Sequence, residues 1–232
     1  RRQRQMCIRD RVGEEGRAFG LHRAMDSAGA VVGSAIGWLL LLVLPGQYRL
    51  IFLVTAVPAA IAVWITFRLK EPAQHREVAA AVKSGRLTQS FWIATGIMCA
   101  FGLANSSDTF LLLRAKDLGF SIPNVALLYV TFNITYSALS YPLGTLSDRV
   151  GKMPLLVAGW TLYAGVYAMF ASAPAWTLWL GMPLYGLYMA LTDGVSKALV
   201  SKLSPGGKRG SAMGTFYFLT GTCGLASSLL AG

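Results

Sequence analysis

The chain has 232 residues, of which 54% are hydrophobic and 13% charged, and its mean hydropathy is +0.52. This composition is too apolar for a soluble domain of this length and is typical of integral membrane proteins. The formal net charge of +11 does not indicate a nucleic-acid-binding protein, because the basic residues lie between apolar runs and not on one folded face.

The first segment, residues 1–23, is basic, lacks an apolar run and is predicted to be cytoplasmic. Within it, residues 6–11 resemble translated sequencing adaptor, so residues 1–12 are either an ordinary basic segment or non-native sequence.

Seven segments are long and apolar enough to cross the membrane, since a helix needs about 20 apolar residues to span roughly 30 Å of hydrocarbon. They are residues 24–44, 50–67, 91–113, 124–146, 155–171, 176–200 and 213–231. The sequence therefore predicts an all-α membrane protein. No cofactor or metal site is expected, because His22 and His75 have no neighbours that would complete one. Cys7, Cys99 and Cys223 are far apart in sequence and are expected to be free thiols.

Lysine and arginine residues orient the spans, because they are retained on the cytoplasmic side. Most of the 21 lie in four segments on one side of the predicted membrane: residues 1–23, 68–90, 144–153 and 201–212. The opposite side holds Arg49, Arg114 and Lys116. The N-terminus is therefore predicted to be cytoplasmic.

The segment 144–153 is a charged, glycine-punctuated connection between two spans, and we predict a turn there. Its pattern resembles the signature loop of the major facilitator superfamily, with Met153 in place of the family's second basic residue. The matching residues are Gly144, Asp148, Arg149, Gly151 and Lys152. The resemblance implies two six-helix bundles, transport by alternating access and no covalent catalysis.

A short repeat suggests which helices of that fold are present. Residues 16–20 recur at 210–214, and each copy leads into a span. Parallel six-helix repeats are known in this superfamily, and equivalence of the two copies makes the seven spans its helices five to eleven. Residues 24–67 are then the last two helices of the N-terminal bundle, 68–90 the cytoplasmic linker, and 91–232 five helices of the C-terminal bundle. The remaining helices of its own chain are expected to complete the fold.

Four glycines in and before the first span form a second motif: Gly20, Gly29, Gly33 and Gly37. They resemble the antiporter motif of exporters in the superfamily, although Ser34 and Trp38 replace its proline and last glycine. Two interpretations stay open, a small-residue face for helix packing and the hinge of an exporter.

In the signature segment we expect Asp148 to face the positive N-terminus of a neighbouring helix and to pair with Arg149. The family resemblance implies that this cluster latches the cytoplasmic side in one state. The alternative is a solvated loop that only fixes the topology.

Charged and polar residues within spans are costly in hydrocarbon and so are candidates for function. Asp108, next to Asn105, is either a proton or substrate site or a structural residue held by a hydroxyl or by Arg114. Asp193 and Lys197, four residues apart, are expected to form an ion pair at the inner gate, with a role in coupling as the alternative. Asn133 and Tyr136 belong to a polar stripe that either faces substrate or joins helices.

Together these features predict a secondary active transporter of a small solute, coupled to protons, with efflux favoured over uptake. The predicted location is the inner membrane of a prokaryote. The alternative is a seven-helix receptor or sensor, which fits the number of spans but conflicts with the inward N-terminus.

Overall fold

The computed structural model describes residues 14–68, 87–105, 107–172, 174–204 and 208–231, without the side chains of residues 172 and 231. Every regular element in these ranges is helical, which confirms the all-α prediction. The α-helices are α1 (Glu15–Val43), α2 (Tyr48–Thr66), α3 (Gln89–Ala104), α4 (Thr109–Asp117), α5 (Ile122–Val150), α6 (Lys152–Ser172), α7 (Leu178–Leu203) and α8 (Arg209–Ala231), with a 3-10 turn at Ala175–Thr177.

Five stretches of the described chain are long and apolar enough to span a membrane. They are Glu15–Val43, Tyr48–Thr66, Gln89–Asp117, Ile122–Val150 and Lys152–Ala171. Helices α7 and α8, which correspond to the predicted sixth and seventh spans, are not in this set. Asp193, Lys197 and Lys202 lower the mean hydropathy of α7.

The predicted turn at 144–153 is wrong, because α5 continues to Val150 and α6 begins at Lys152. Gly151 alone separates the two helices and has a φ of +97°, a left-handed backbone conformation that glycine adopts without steric cost. Most of the signature segment is therefore the last part of a helix.

The predicted third span, 91–113, lies within Gln89–Asp117, one of the five stretches above, but it is not one continuous helix. Helix α3 ends at Ala104 and α4 begins at Thr109, whose backbone N–H donates to Ser107 Oγ at 3.3 Å. Short polar side chains of this kind compete for backbone hydrogen bonds and so interrupt helices. The break places Asn105 and Asp108 at helix ends, in the part of the chain that would cross the membrane.

Helix α7 is central to the packing and contacts α1, α3, α5, α6 and α8. Helix α1 lies mainly along α5, and α3 lies along α8. One buried cluster joins α4, α5, α6 and α7 and is rich in tyrosine and phenylalanine, and a second joins α3, α6, α7 and α8. Helix α2 contains no buried residue.

Two predicted segments fall largely outside the described residues. They are the N-terminal residues 1–12 and the linker 68–90, of which residues 69–86 are not described. The division of the chain into two bundles stays a prediction.

Candidate functional site

The end of α5 approaches α1 through glycine residues. A Cβ atom on Gly144 would lie 2.4 Å from the backbone oxygen of Gly16 and 2.9 Å from Cα of Gly20. Both distances are shorter than any real Cβ contact, so the two backbones touch only because side chains are absent here. This contact determines which part of α1 lies next to the signature segment.

Asp148 binds the N-terminus of α1. Its Oδ1 accepts a hydrogen bond from the Gly16 backbone N–H at 2.9 Å, and its Oδ2 accepts one from the Arg17 N–H at 2.8 Å. These N–H groups have no partner inside their own helix, and the positive end of the helix dipole favours a carboxylate there. The predicted contact of Asp148 with the N-terminus of a neighbouring helix is therefore present.

The predicted pairing of Asp148 with Arg149 is wrong. Successive side chains on a helix diverge by about 100°, and Arg149 is exposed to the surroundings. Lys152 pairs with Asp148 instead, with 3.1 Å between Nζ and Oδ1, and its Nζ lies 4.0 Å from Oε2 of Glu15. Glu15 and Lys152 are both buried, so three charged groups meet beneath the surface at this joint.

A second charged contact joins α1 to α7 and α5, about two helical turns along α1 from the first. Arg23 Nε donates to Asp193 Oδ2 and to the Tyr136 hydroxyl. The Tyr136 hydroxyl donates to the same carboxylate oxygen at 2.7 Å. The predicted Asp193–Lys197 ion pair is also formed, with 2.8 Å between Nζ and Oδ1. Two cations and a hydroxyl therefore share one carboxylate.

Arg23 is a site residue that the sequence pattern does not reveal, because it belongs by composition to the basic, cytoplasmic N-terminus. In the structure α1 already includes it. The available signal was spacing, since Gly16, Gly20 and Arg23 share one helix face through i+4 and i+7 steps.

A cavity of about 400 Å³ lies beside the Asp193 cluster. Arg23, Asp193 and Lys197 line one part of it. Aromatic and hydroxyl side chains from α3, α6, α7 and α8 line much of the rest, including Phe101, Trp160, Tyr188, Thr192 and Tyr217. Such a mixture of aromatic surface and a few polar groups is typical of sites for small molecules.

Asp108 lies apart from the lining of this cavity and contacts a tyrosine. The Tyr185 hydroxyl donates to its Oδ1 at 2.5 Å, and the Asn105 amide donates to the Tyr188 hydroxyl at 3.3 Å. Of the two structural partners expected for Asp108, the hydroxyl is therefore present. Oδ1 of Asn105 is buried and has no hydrogen-bond partner within the described residues.

The polar stripe of α5 divides between two environments. Tyr136 belongs to the Asp193 cluster, whereas the amide of Asn133 donates to the Tyr129 carbonyl of its own helix at 2.8 Å. Asn133 is buried and does not line the cavity. Only Tyr136 of the two candidates is thus placed near the cavity.

The four glycines of the antiporter-like motif also lie in two different environments. Gly20 packs closely on Ser140, with 2.6 Å from an added Cβ to its carbonyl oxygen. A Cβ added at Gly29, Gly33 or Gly37 would meet no described atom within 4 Å. Their role in packing or as a hinge stays a prediction.

Comparisons with known proteins agree with this architecture. The family model described as Major Facilitator Superfamily matches residues 8–224. The uncharacterized MFS-type transporter MJ1317 of Methanocaldococcus jannaschii is 34% identical over 230 residues, which cover 94% of this chain and 57% of that protein. Multidrug resistance protein MdtH of Yersinia enterocolitica is 39% identical over 77 residues, which cover 33% of this chain and 18% of that protein.

No solved structure matches the chain. The chain spans 57% of the length of the archaeal relative and much less of the Yersinia protein. The extent of the family match, together with the archaeal relative, establishes that this chain belongs to the major facilitator superfamily.

Proposed function

We propose that the chain is part of a secondary active transporter that moves a small solute by alternating access, in exchange for protons and in the direction of export. The observation that carries the proposal is the charged contact of α1 with α5 and α7. In this assignment α1 and α2 belong to the N-terminal bundle and α3 to α8 to the C-terminal bundle. The contact then joins the two bundles on their cytoplasmic side.

Alternating access needs a seal between the bundles that holds in one state and breaks in the other. The joint of Asp148 with the N-terminus of α1 and the Arg23–Asp193 contact are two successive layers of such a seal. The Arg23 and Asp193 side chains are 26% and 20% exposed. Partly solvated ion pairs are weaker than their Coulomb attraction suggests, so they suit a contact that must open in every cycle.

Asp193 is our candidate for coupling to protons. Its carboxylate lines the cavity and faces Arg23, Lys197 and the Tyr136 hydroxyl. Protonation would remove the negative charge that holds both cations and would free Arg23 from α7. Proton binding would thereby favour opening of the cytoplasmic side.

Two observations support export over uptake. The open face of Gly29, Gly33 and Gly37 leaves room for the close helix packing that their exporter-like motif implies. One relative is named a multidrug resistance protein. A seven-helix receptor has no comparable support, because the chain belongs to a superfamily of transporters.

The chain is an integral membrane protein, and its bacterial and archaeal relatives support a place in a prokaryotic inner membrane. The proposed partners are a small solute, protons, the lipid bilayer and the rest of its own chain. No catalytic residue is assigned.

The test is solute-driven proton flux in liposomes that contain a pH-sensitive dye and the purified complete transporter, which is this chain together with the remaining helices of the same protein. A panel of toxic organic cations and anions serves as the set of solutes. We expect flux with the wild type and with Asp117→Asn, a control at an exposed acid of α4. With Asp193→Asn we expect flux at the level of empty liposomes.

Equal flux with Asp193→Asn and wild type would refute the role of Asp193. Solute transport without any proton flux would refute proton exchange while leaving transport itself supported. No transport of any solute would contradict the proposed function of this chain.

A further inference from the structure

The cavity beside the Asp193 cluster has an unbalanced charge. Of the described residues that line it, three are charged, namely Arg23, Asp193 and Lys197. Two cations therefore face one carboxylate. Arg23 also pairs with Asp26 at 2.6 Å, but the Asp26 side chain is 57% exposed and does not line the cavity. The cavity wall thus carries one positive charge that no lining acid balances.

The Lys197 ammonium is the group that an anion would bind. Its carboxylate partner is Asp193, which it shares with Arg23. The Lys197 side chain is only 15% exposed, so little water solvates the ammonium. Charges withdrawn from water are costly unless they are paired. A second carboxylate at Lys197 would give each of the two cations an acid of its own.

Aromatic rings form much of the remaining wall. The rings of Phe101 and Trp160 stack with 5.2 Å between their centres, and the ring of Tyr188 lies 6.1 Å from that of Phe101. On α8, the centre of the Tyr217 ring lies 5.9 Å from Nζ of Lys197. Aromatic side chains pack well against other planar rings. The cavity therefore combines aromatic surface with a neighbouring cation.

Two glycines of α8 leave space in the wall. Gly221 and Gly224 line the cavity, and an added Cβ at either position would meet no described atom within 4 Å. The cavity volume of about 400 Å³ lies within the usual range for small-molecule sites, roughly 300–1,000 Å³. A ring system with one charged group is of the right size for such a volume.

We propose that the transported solute is an aromatic organic anion, whose acidic group binds the Lys197 ammonium while its ring contacts the aromatic side chains of the cavity. The inference rests on the proposed function, since it names the class of solute that the transporter moves. The anion binds while Asp193 keeps its charge and stays paired with Arg23, so solute binding does not require protonation of Asp193.

Three probes that share one ring system test the role of charge. They are naphthoate, neutral naphthamide and cationic naphthylmethylammonium, each substituted at the same ring carbon. Each probe is titrated into the complete transporter in detergent micelles and its binding is measured by isothermal titration calorimetry. We expect naphthoate to bind about tenfold tighter than naphthamide or more, the usual effect of a hydrogen bond to a charged group. The ammonium probe should bind most weakly.

Substitutions in the cavity wall separate the charge from the aromatic surface. Lys197→Gln should lower the affinity for naphthoate to about that for naphthamide, and Lys197→Arg should keep most of the affinity. The matched control is Lys202→Gln, which removes a charge from the same helix outside the cavity lining and should leave naphthoate binding unchanged. Trp160→Leu should weaken binding of naphthoate and naphthamide by the same factor, because both probes carry the same ring.

The wild-type measurements decide the solute class even if a variant does not fold. Absence of naphthoate binding, equal binding of naphthoate and naphthamide, or tighter binding of the ammonium probe would overturn the proposal. So would an equal effect of Lys197→Gln and Lys202→Gln. If the liposomes transport cations only, the solute class is wrong while the transport function stands. Naphthoate binding as expected without transport of any solute would uphold the anion site and contradict only the transport function.

Discussion

Gly144 is the residue through which α5 comes closest to α1. Any side chain there would meet backbone atoms of Gly16 and Gly20, which cannot rotate away. The family pattern marks this glycine without giving a reason for it. The structure supplies the reason, because the signature segment can lie on α1 only if neither helix has a side chain at the contact.

Gly144→Ala should destabilise the protein by about 1–3 kcal/mol, the usual cost of forcing one extra carbon into a packed interior. Thermal unfolding in detergent micelles, followed by circular dichroism, measures the effect. The matched control is Gly165→Ala in α6, where an added Cβ meets no described atom within 4 Å. That variant should unfold at or above the wild-type temperature, since alanine favours a helix more than glycine does. Equal losses in both variants would show that the added methyl group destabilises these helices irrespective of its position, and that the α1–α5 contact does not set the effect.

Single residues were predicted with uneven success, for physical reasons. Asp148 follows from its motif and from helix electrostatics, and the Asp193–Lys197 pair follows from its spacing of four. Arg23 was missed because hydropathy detects only the apolar part of a helix. The first turns of α1 are polar and helical because they pack on α5, which is a tertiary effect.

At the scale of elements, the joint between α5 and α1 depends on which charged residues of the signature segment reach it. Asp148→Asn keeps one acceptor but loses the charge, and Lys152→Gln removes the buried cation beside it. Each should cost about 1–3 kcal/mol, the typical value for losing a charge-assisted hydrogen bond or leaving its partner unpaired. Urea unfolding in micelles is a suitable measurement.

Arg149→Gln is the control for this joint, because Arg149 belongs to the same motif but is exposed. Its effect should stay within about 0.5 kcal/mol, as for most surface substitutions. A loss with Arg149→Gln as large as that with Asp148→Asn would mean that the charge of the motif matters as a whole and that the observed contacts do not determine stability.

Helix ends were harder to predict than helix positions. The second span, 50–67, lies almost entirely within α2, whereas the break between α3 and α4 was missed although four polar residues in succession, 105–108, mark it. A prediction from the apolar content of a whole segment does not detect a short polar run within it. The continuation of α5 through Ser147, Asp148 and Arg149 was missed for a related reason, because charge was taken as a sign of a loop.

For the whole molecule, the orientation in the membrane is still a prediction from the basic residues. Alkaline phosphatase fused after Gln47, between α1 and α2, should be exported and active, because few basic residues hold that side in the cytoplasm. The same enzyme fused after Lys202, at the end of α7, should stay inside and inactive. The reverse pattern would place the charged contact of α1 on the outer side and would refute a cytoplasmic seal.

The single residue between α5 and α6 has a consequence for biogenesis. Because Gly151 is the only residue between them, the end of α5 and the start of α6 must remain at the same depth in the membrane. The ribosome and the insertion machinery therefore have to handle the two helices as one hairpin. Arg149 and Lys152 at its tip would keep that tip on the side from which the hairpin entered, so this pair of helices sets its own direction during synthesis.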